Sequence, residues 1–341
     1  FNNVLVTVNQ DFITHTQDCE GLMEMYVNGK TPGQFFRFRS ANNVFVPNVW
    51  MTGVSADLTS GATYTATGLE DTDVTNWTFT APPAKDLYWI GVADNNWNNG
   101  LNWTTNTDGT PSAGGCVPTK YDNVHFNSFS TGNLPIQIVG QDAYFNNLIA
   151  HNDAPAGITI TYDAIMEAYS YGNLIQMGED MTFVRLHLLG NHSDGQLINK
   201  GNSTFGNLTV NNPTANWVFT GNMRHTGVYL QTGATVTVNG TSWTGANFQV
   251  NGIALNLNIQ TITGTDFNLN KGALKASDLS MTVNQFSSTG NNAITTARSL
   301  DIRNSTIVTR EDWLYYNLAS ATLQAEGSHI TFDRNFYGQS G

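Results

Sequence analysis

Met281-Thr282-Val283, Thr306-Ile307-Val308 and Ile330-Thr331-Phe332 are short β-prone triplets whose last residues stand 25 and 24 positions apart. Leu274, Leu300 and Leu323 repeat beside them at intervals of 26 and 23. A period of this size, made of short strands punctuated by Gly and Asn with no helical stretch between them, predicts the coils of a parallel β-helix rather than a sandwich. One such coil cannot bury its inner face alone, so the coils must stack.

Working back from this region, Phe205-Gly206-Asn207-Leu208-Thr209-Val210, Trp217-Val218-Phe219, Ala234 to Gly240 and Leu255 to Ile259 have the same character at looser spacing. A leucine-rich horseshoe is disfavoured, because its tight Leu repeat and helical returns are missing. The solenoid is therefore expected over 147–341. Residues 85–146 are rich in Trp, Asn and Gly and poor in periodicity. They read as a capping segment, and Asp86 to Asn127 is expected to pack on the first coil and cover its open end.

From Phe1 to about Thr80 short alternating strands are separated by turn signals such as Asn28-Gly29 and Thr31-Pro32-Gly33. This pattern predicts a small antiparallel, Ig-like β-sandwich over 1–84, ending in the linker Ala81-Pro82-Pro83-Ala84. The fold class is thus all-β: a sandwich, a Trp-rich cap and a parallel β-helix.

Composition narrows the function. Charged residues make up 12% of the 341, about half the usual share, and Asn, Thr, Ser and 32 glycines carry the polar surface. That palette suits an extracellular β-protein. With 26 acidic against 14 basic residues the formal charge is -12, which repels phosphate backbones and anionic head groups, so nucleic acid is an unfavourable partner. There is no run of apolar residues long enough for direct membrane insertion, and the start lacks the pattern of a signal peptide, so the chain reads as a mature or excised piece of something longer. Two cysteines, Cys19 and Cys116, make neither a disulfide framework nor a four-ligand metal site.

Leu87-Tyr88-Trp89-Ile90-Gly91, Asn96-Trp97-Asn98, Asn102-Trp103-Thr104, Gly114-Gly115-Cys116-Val117-Pro118-Thr119 and Asp122-Asn123-Val124-His125-Phe126 resemble a module of very large Bacteroidetes surface proteins. In those proteins the module leads into β-rich repeats similar to Leu300-Asp301-Ile302, Asn304-Ser305-Thr306-Ile307 and Gly327-Ser328-His329-Ile330, so the resemblance covers about 86 to 341. The N-terminal part is similar to the SprB-type repeat of gliding adhesins through Asp18-Cys19-Glu20-Gly21, Gly29 to Gly33 and Leu58 to Tyr64. The resemblance implies type IX secretion, display outside the outer membrane, and roles in adhesion, gliding or surface-layer construction. It also implies a second Cys after the Val-Pro-Thr segment, where this chain has Tyr144-Phe145-Asn146-Asn147. Cys116 accordingly reads as a free buried thiol, with a bridge to Cys19 as the alternative.

A β-helix is also a scaffold for polysaccharide lyases and hydrolases, which need paired carboxylates, or an acidic cluster beside a base, on neighbouring coils. The candidates are Asp163, Glu167, Glu179 and Asp180 with Arg185 and His187, and a second group of Arg303, Arg310, Glu311 and Asp312. As sequence both groups read as solvated loop charges. The seven histidines show no ligand spacing, and no cofactor motif is present. Asp94 to Gly100 is faintly like a calcium loop but lacks the Gly and Glu an EF-hand requires. Trp89, Trp97 and Trp103 offer flat indole faces that suit a pyranose ring; closing the end of the β-helix is the reading we favour. The Asn-x-Ser/Thr sequons read as accidents of an Asn- and Thr-rich composition.

The expectation is a non-catalytic stalk, adhesin or filament segment on the cell surface. Its partners are neighbouring domains or copies of the same protein, head to tail, with surface polysaccharide as a further partner. The alternatives are a β-helical polysaccharide lyase or hydrolase and a carbohydrate-binding module. Ser328 to Phe332 is still a coil strand close to Gly341, and nothing after Phe336-Tyr337-Gly338 reads as a cap for it.

Overall fold

A computed structural model describes residues 5–9, 23–26, 36–70, 73–80, 83–112, 115–163, 165–212, 214–231, 235–288, 297–317 and 321–340. The chain is an all-β, parallel solenoid of about 14 turns. Adjacent strands stand ~4.8 Å apart, so a stack of that many turns is on the order of 65 Å long.

Three faces build the coils from Asp86 onward. The first runs from Asp86–Trp89 through Asn123–Phe126 and Leu148–Ala150 to Arg298–Asp301 and Ala321–Gln324. The second runs from Ile136–Ile138 and Thr159–Tyr162 to Thr306–Thr309 and His329–Phe332. The third runs from Ala143–Phe145 and Ala168–Ser170 to Trp313–Asn317 and Phe336–Ser340. In the middle of the rod the corners soften, and Ser242–Asn258 and Thr261–Ala276 each pass through all three faces as one bent strand.

The coil length varies. Leu148 pairs with Ile175, Ile175 with Leu197, Val238 with Leu257, Leu274 with Leu300 and Leu300 with Leu323, giving steps of 27, 22, 19, 26 and 23 residues. The leucine spacing read from sequence is the true register. The triplets were one residue out of step: Met281 pairs with Ile307, and Ile307 with Ile330. Because strand side chains alternate, that slip matters. It sends Met281 and Ile307 inward and Thr282, Val308 and Thr331 outward.

Residues 5–80 differ from the expected antiparallel sandwich. Every pairing described there is parallel: Leu5–Val8 with Phe36–Ser40 and on to Val54–Ala56, and Met23–Tyr26 with Val44–Thr52, Tyr64–Glu70 and Thr78–Phe79. Alternation reveals which face a side chain takes and says nothing about the direction of the neighbouring strand. The turn signals at Asn28-Gly29 and Thr31 to Gly33 lie outside the described residues. Phe38, Val46, Val49, Met51, Val54 and Ala66 form a separate apolar cluster here. The Tyr64 hydroxyl ties it together by accepting from the Ser40 N–H at 2.8 Å and donating to the Asp57 carbonyl at 3.1 Å.

The parallel ladder begins at Asp86, well before the expected start at 147. Residues 94–104 lie as a lid against the first full coil. Gln137 donates to the Asn95 carbonyl at 2.7 Å and accepts, through its own carbonyl, from Trp97 at 2.8 Å, while the Trp97 ring sits 5.8 Å from that of Phe145. The lid is therefore stitched to the second face by backbone bonds and to the third by an aromatic contact.

Inside the rod the aromatic side chains form columns. Phe248, Phe267, Phe286 and Trp313 stack with centroids 5.5, 5.6 and 4.3 Å apart. Three earlier coils carry a column of rings on the second face, Phe183, Phe205 and His225. The changeover needs Gly245, because a Cβ there would collide with the His225 ring. At the far end Leu323, Phe332 and Phe336 are 45, 40 and 54% exposed, whereas Leu300 and Trp313 one coil earlier are each 1% exposed.

Candidate functional site

On a solenoid, outward side chains from successive coils line up in columns, and two such columns bear chemistry. On the third face Asp142, Glu167 and Arg185 occupy one column, and Tyr144, Tyr169 and His187 the next. The Glu167 N–H donates to Asp142 Oδ1 at 2.9 Å. The Glu167 carboxylate accepts from the Tyr169 hydroxyl at 2.8 Å and meets His187 Nε2 at 2.9 Å and Arg185 Nη1 at 3.7 Å. Arg185 also lies over the Tyr162 ring at 4.3 Å. The rings of Tyr144, Tyr169 and His187 stack at 5.6 and 4.8 Å.

Burial raises the Asp142 carboxyl above the usual range, and the nearby Glu167 carboxylate adds to the rise. Burial and then the bond to Glu167 raise the Tyr169 phenol. Burial lowers the His187 imidazole despite the pull of Glu167. Two carboxyl groups on neighbouring coils are an arrangement that acid–base chemistry uses. Here the Glu167 carboxylate is engaged by a phenol, an imidazole and a guanidinium, so it holds the column together.

The structure thus joins three of the sequence-derived candidates, Glu167, Arg185 and His187, and adds Asp142 and Tyr169. It leaves the others apart. Asp163 is exposed at the end of a second-face strand, and Glu179 and Asp180 are exposed in the turn between first and second faces. Arg303 pairs with its neighbour Asp301 at 2.8 Å. Arg310, Glu311 and Asp312 sit at a different corner, where Asp312 accepts from Asn335 at 3.1 Å. The second group does not converge.

A further cluster was not foreseen. Asp86 Oδ1 lies 3.1 Å from His125 Nε2, and His125 Nδ1 lies 3.0 Å from His151 Nε2. The two imidazoles are nearly coplanar, at 22° with centroids 5.2 Å apart, which is an edge-to-edge hydrogen bond. Tyr88 stacks on His125 at 4.6 Å. Burial lowers the His125 imidazole, while the bond from Asn123 lowers the Asp86 carboxyl. With Asp86 fixing the Nε2 proton, Nδ1 of His125 accepts from His151.

Trp89, Trp97 and Trp103 are 0, 0 and 1% exposed. Their faces are spent on one another, with Trp89 and Trp97 5.2 and 4.7 Å from Trp103 in edge contacts, and Trp103 Nε1 donates to the Trp97 carbonyl at 2.7 Å. Rings so enclosed offer no platform to a sugar, which corrects the stacking-platform candidate. Cys116 is disulfide-bonded, which corrects the free-thiol expectation; Cys19 lies outside the described residues. In the Asp94 loop the carboxylate accepts from the Asn96 N–H and from the Asn99 and Asn102 amides at 2.8, 2.8 and 2.6 Å, so it closes its own turn. Among the described residues no group of three or more His, Cys, Asp or Glu has metal-binding geometry, and no helix is long and apolar enough to cross a membrane. No family model, curated protein or solved structure matches the chain.

Proposed function

We propose that this chain is a non-catalytic structural segment of an extracellular bacterial surface protein, a stiff stalk or adhesive rod that acts through its mechanics. The observation that carries the reading is the continuous parallel ladder from Asp86 to Ser340, bonded coil to coil on three faces from residue 136 onward. Bending or twisting such a rod strains three ladders and a packed aromatic interior together. The disulfide at Cys116 fits an oxidising compartment, as does a surface dominated by Thr, Asn and Ser. The resemblance to Bacteroidetes surface proteins points the same way and brings type IX export, adhesion or gliding with it. The apolar slice left open by Leu323, Phe332 and Phe336 fits a neighbouring domain or copy standing head to tail against the final coil.

Stretching the chain between two handles in an optical trap tests this. Coils of 18 to 27 residues should yield in discrete steps, each releasing roughly 60 to 95 Å of extended chain. Featureless extension at low force would remove the mechanical role. A second reading, a polysaccharide lyase or hydrolase, is favoured by the Asp142–Glu167 pair alone; turnover of an acidic or neutral polysaccharide that is lost in Glu167→Gln would establish it instead.

A further inference from the structure

The second face carries a regular array that its packing role does not explain. On five successive coils, Thr244, Thr263, Thr282, Val308 and Thr331 are register partners in one outward column. Two residues before each, Ser242, Thr261, Ser280 and Thr306 form a second column in the same register, which His329 ends. The side chains between the columns, Trp243, Ile262, Met281 and Ile307, point inward and are at most 1% exposed. Two columns of outward hydroxyls and methyls therefore stand on a sheet fixed from behind by a close-packed core. Strand geometry sets the mesh at ~4.8 Å across strands and roughly 6.7 Å along them.

Thr is a good strand former, so its presence alone means little. Its distribution over the faces is the independent observation. On the same coils the outward positions of the third face are Asn247 and Gln249, then Asp266 and Asn268, and the first face carries Asn256, Lys275 and Asp301. Strand propensity would place Thr on all three faces, whereas on these coils the other two add Ala254, Ala273, Ser287 and Ser299 and a single outward threonine, Thr322, and the second face is uncharged between Arg224, the register partner of Thr244 on the preceding coil, and His329. Among the described residues the hydroxyls of Thr244, Thr263, Thr282 and Thr306 have no partner within the protein.

We propose that this face binds ordered water, specifically a crystal face of ice. Charged groups would hold their own hydration shells, and they are absent from the two columns between Arg224 and His329. Methyl groups order the water beside them, and each free hydroxyl can take a place in a hydrogen-bonded lattice. β-branched Thr and Val are stiff at χ1, so little side-chain entropy is lost when the array engages. A rigid two-dimensional mesh also meets a lattice at many points at once, which multiplies contacts that are each weak.

The test uses the full chain in ice-crystal shaping and recrystallisation assays, with circular dichroism confirming the fold of each variant. Wild type and Gln249→Lys, on the third face, should shape crystals and suppress recrystallisation, and Thr263→Lys, at the centre of the array, should abolish both. Should Thr263→Lys misfold, Thr244→Lys takes its place. Absence of any effect of wild type on ice overturns the proposal, as does an equal loss in Thr263→Lys and Gln249→Lys. Binding to crystalline cellulose or chitin that depends on Thr263, without an effect on ice, also overturns it by assigning the array to a polysaccharide lattice.

Discussion

His225 makes the stability of the rod depend on acid in a way one substitution can isolate. Its ring lies inside the coil, 6% exposed, 4.5 Å from Phe248 and 5.8 Å from Trp243 by centroid, and neither ring nitrogen has a hydrogen-bond partner. Burial lowers its pKa from 6.5 to about 3. The folded state thus keeps His225 neutral while the unfolded chain binds a proton below about pH 6.5. The unfolded state holds more protons in that window, so stability falls as the pH drops from about 6.5 towards 3 and is unaffected above it. At ~1.4 kcal/mol per unit the full loss is on the order of 4 to 5 kcal/mol, approached near pH 3. His225→Leu has comparable volume and no titration. It should lie within about 1.5 kcal/mol of wild type at pH 7 and gain roughly 3 kcal/mol on wild type by about pH 4, which makes it the more stable protein there. Urea unfolding at pH 7, 5.5 and 4 measures the difference, and His125 and His187, also lowered by burial, cancel between the two proteins. Parallel pH profiles for wild type and His225→Leu would refute the reasoning.

Trp97→Ala should destabilise the first coil by ~3 to 5 kcal/mol, since it empties the centre of the lid, and hydrogen exchange at Gln137 should accelerate in the variant. Gly245→Ala should cost about 1 to 3 kcal/mol through the clash with His225, and most of that cost should vanish in the His225→Ala background, as a double-mutant cycle would show. In Glu167→Gln the His187 imidazole, whose pKa Glu167 raises, should titrate lower still by NMR; an unchanged or higher value would contradict the ion pair.

The all-β character and the solenoid were legible because Leu274, Leu300 and Leu323 stand at equivalent points of successive coils. The middle coils were not, although they repeat most tightly. Ser242–Asn258 and Thr261–Ala276 bend through every face without the breaks that mark strand ends. A local irregularity at Asn251, which pairs with Lys271 while both flanks step by 19, puts the neighbouring glycines at 252 and 272 at a spacing of 20. At the N-terminus Val44 and Tyr64 are register partners 20 residues apart, but so short a segment holds too few coils for a period to stand out from alternation.

The site was less legible than the fold for a reason built into the architecture. Asp142 meets Glu167 across 25 residues, Glu167 meets Arg185 across 18, and His125 meets His151 across 26. The first two distances are one coil each, the third is one coil and two residues more because His125 pairs in register with Ile149, and the coils differ in length, so no fixed spacing searches out a column. His125 and His151 looked scattered because ligand and relay motifs are defined on helices and hairpins, where partners stand three or four residues apart. In a solenoid the equivalent neighbour is a whole turn away. A column becomes readable only after register is known, and the threonines show it best: Thr244, Thr263 and Thr282 are unremarked in a Thr-rich chain until Trp243, Ile262 and Met281 are placed inside. Inward residues fix the register, register fixes the outward columns, and only the columns carry chemistry.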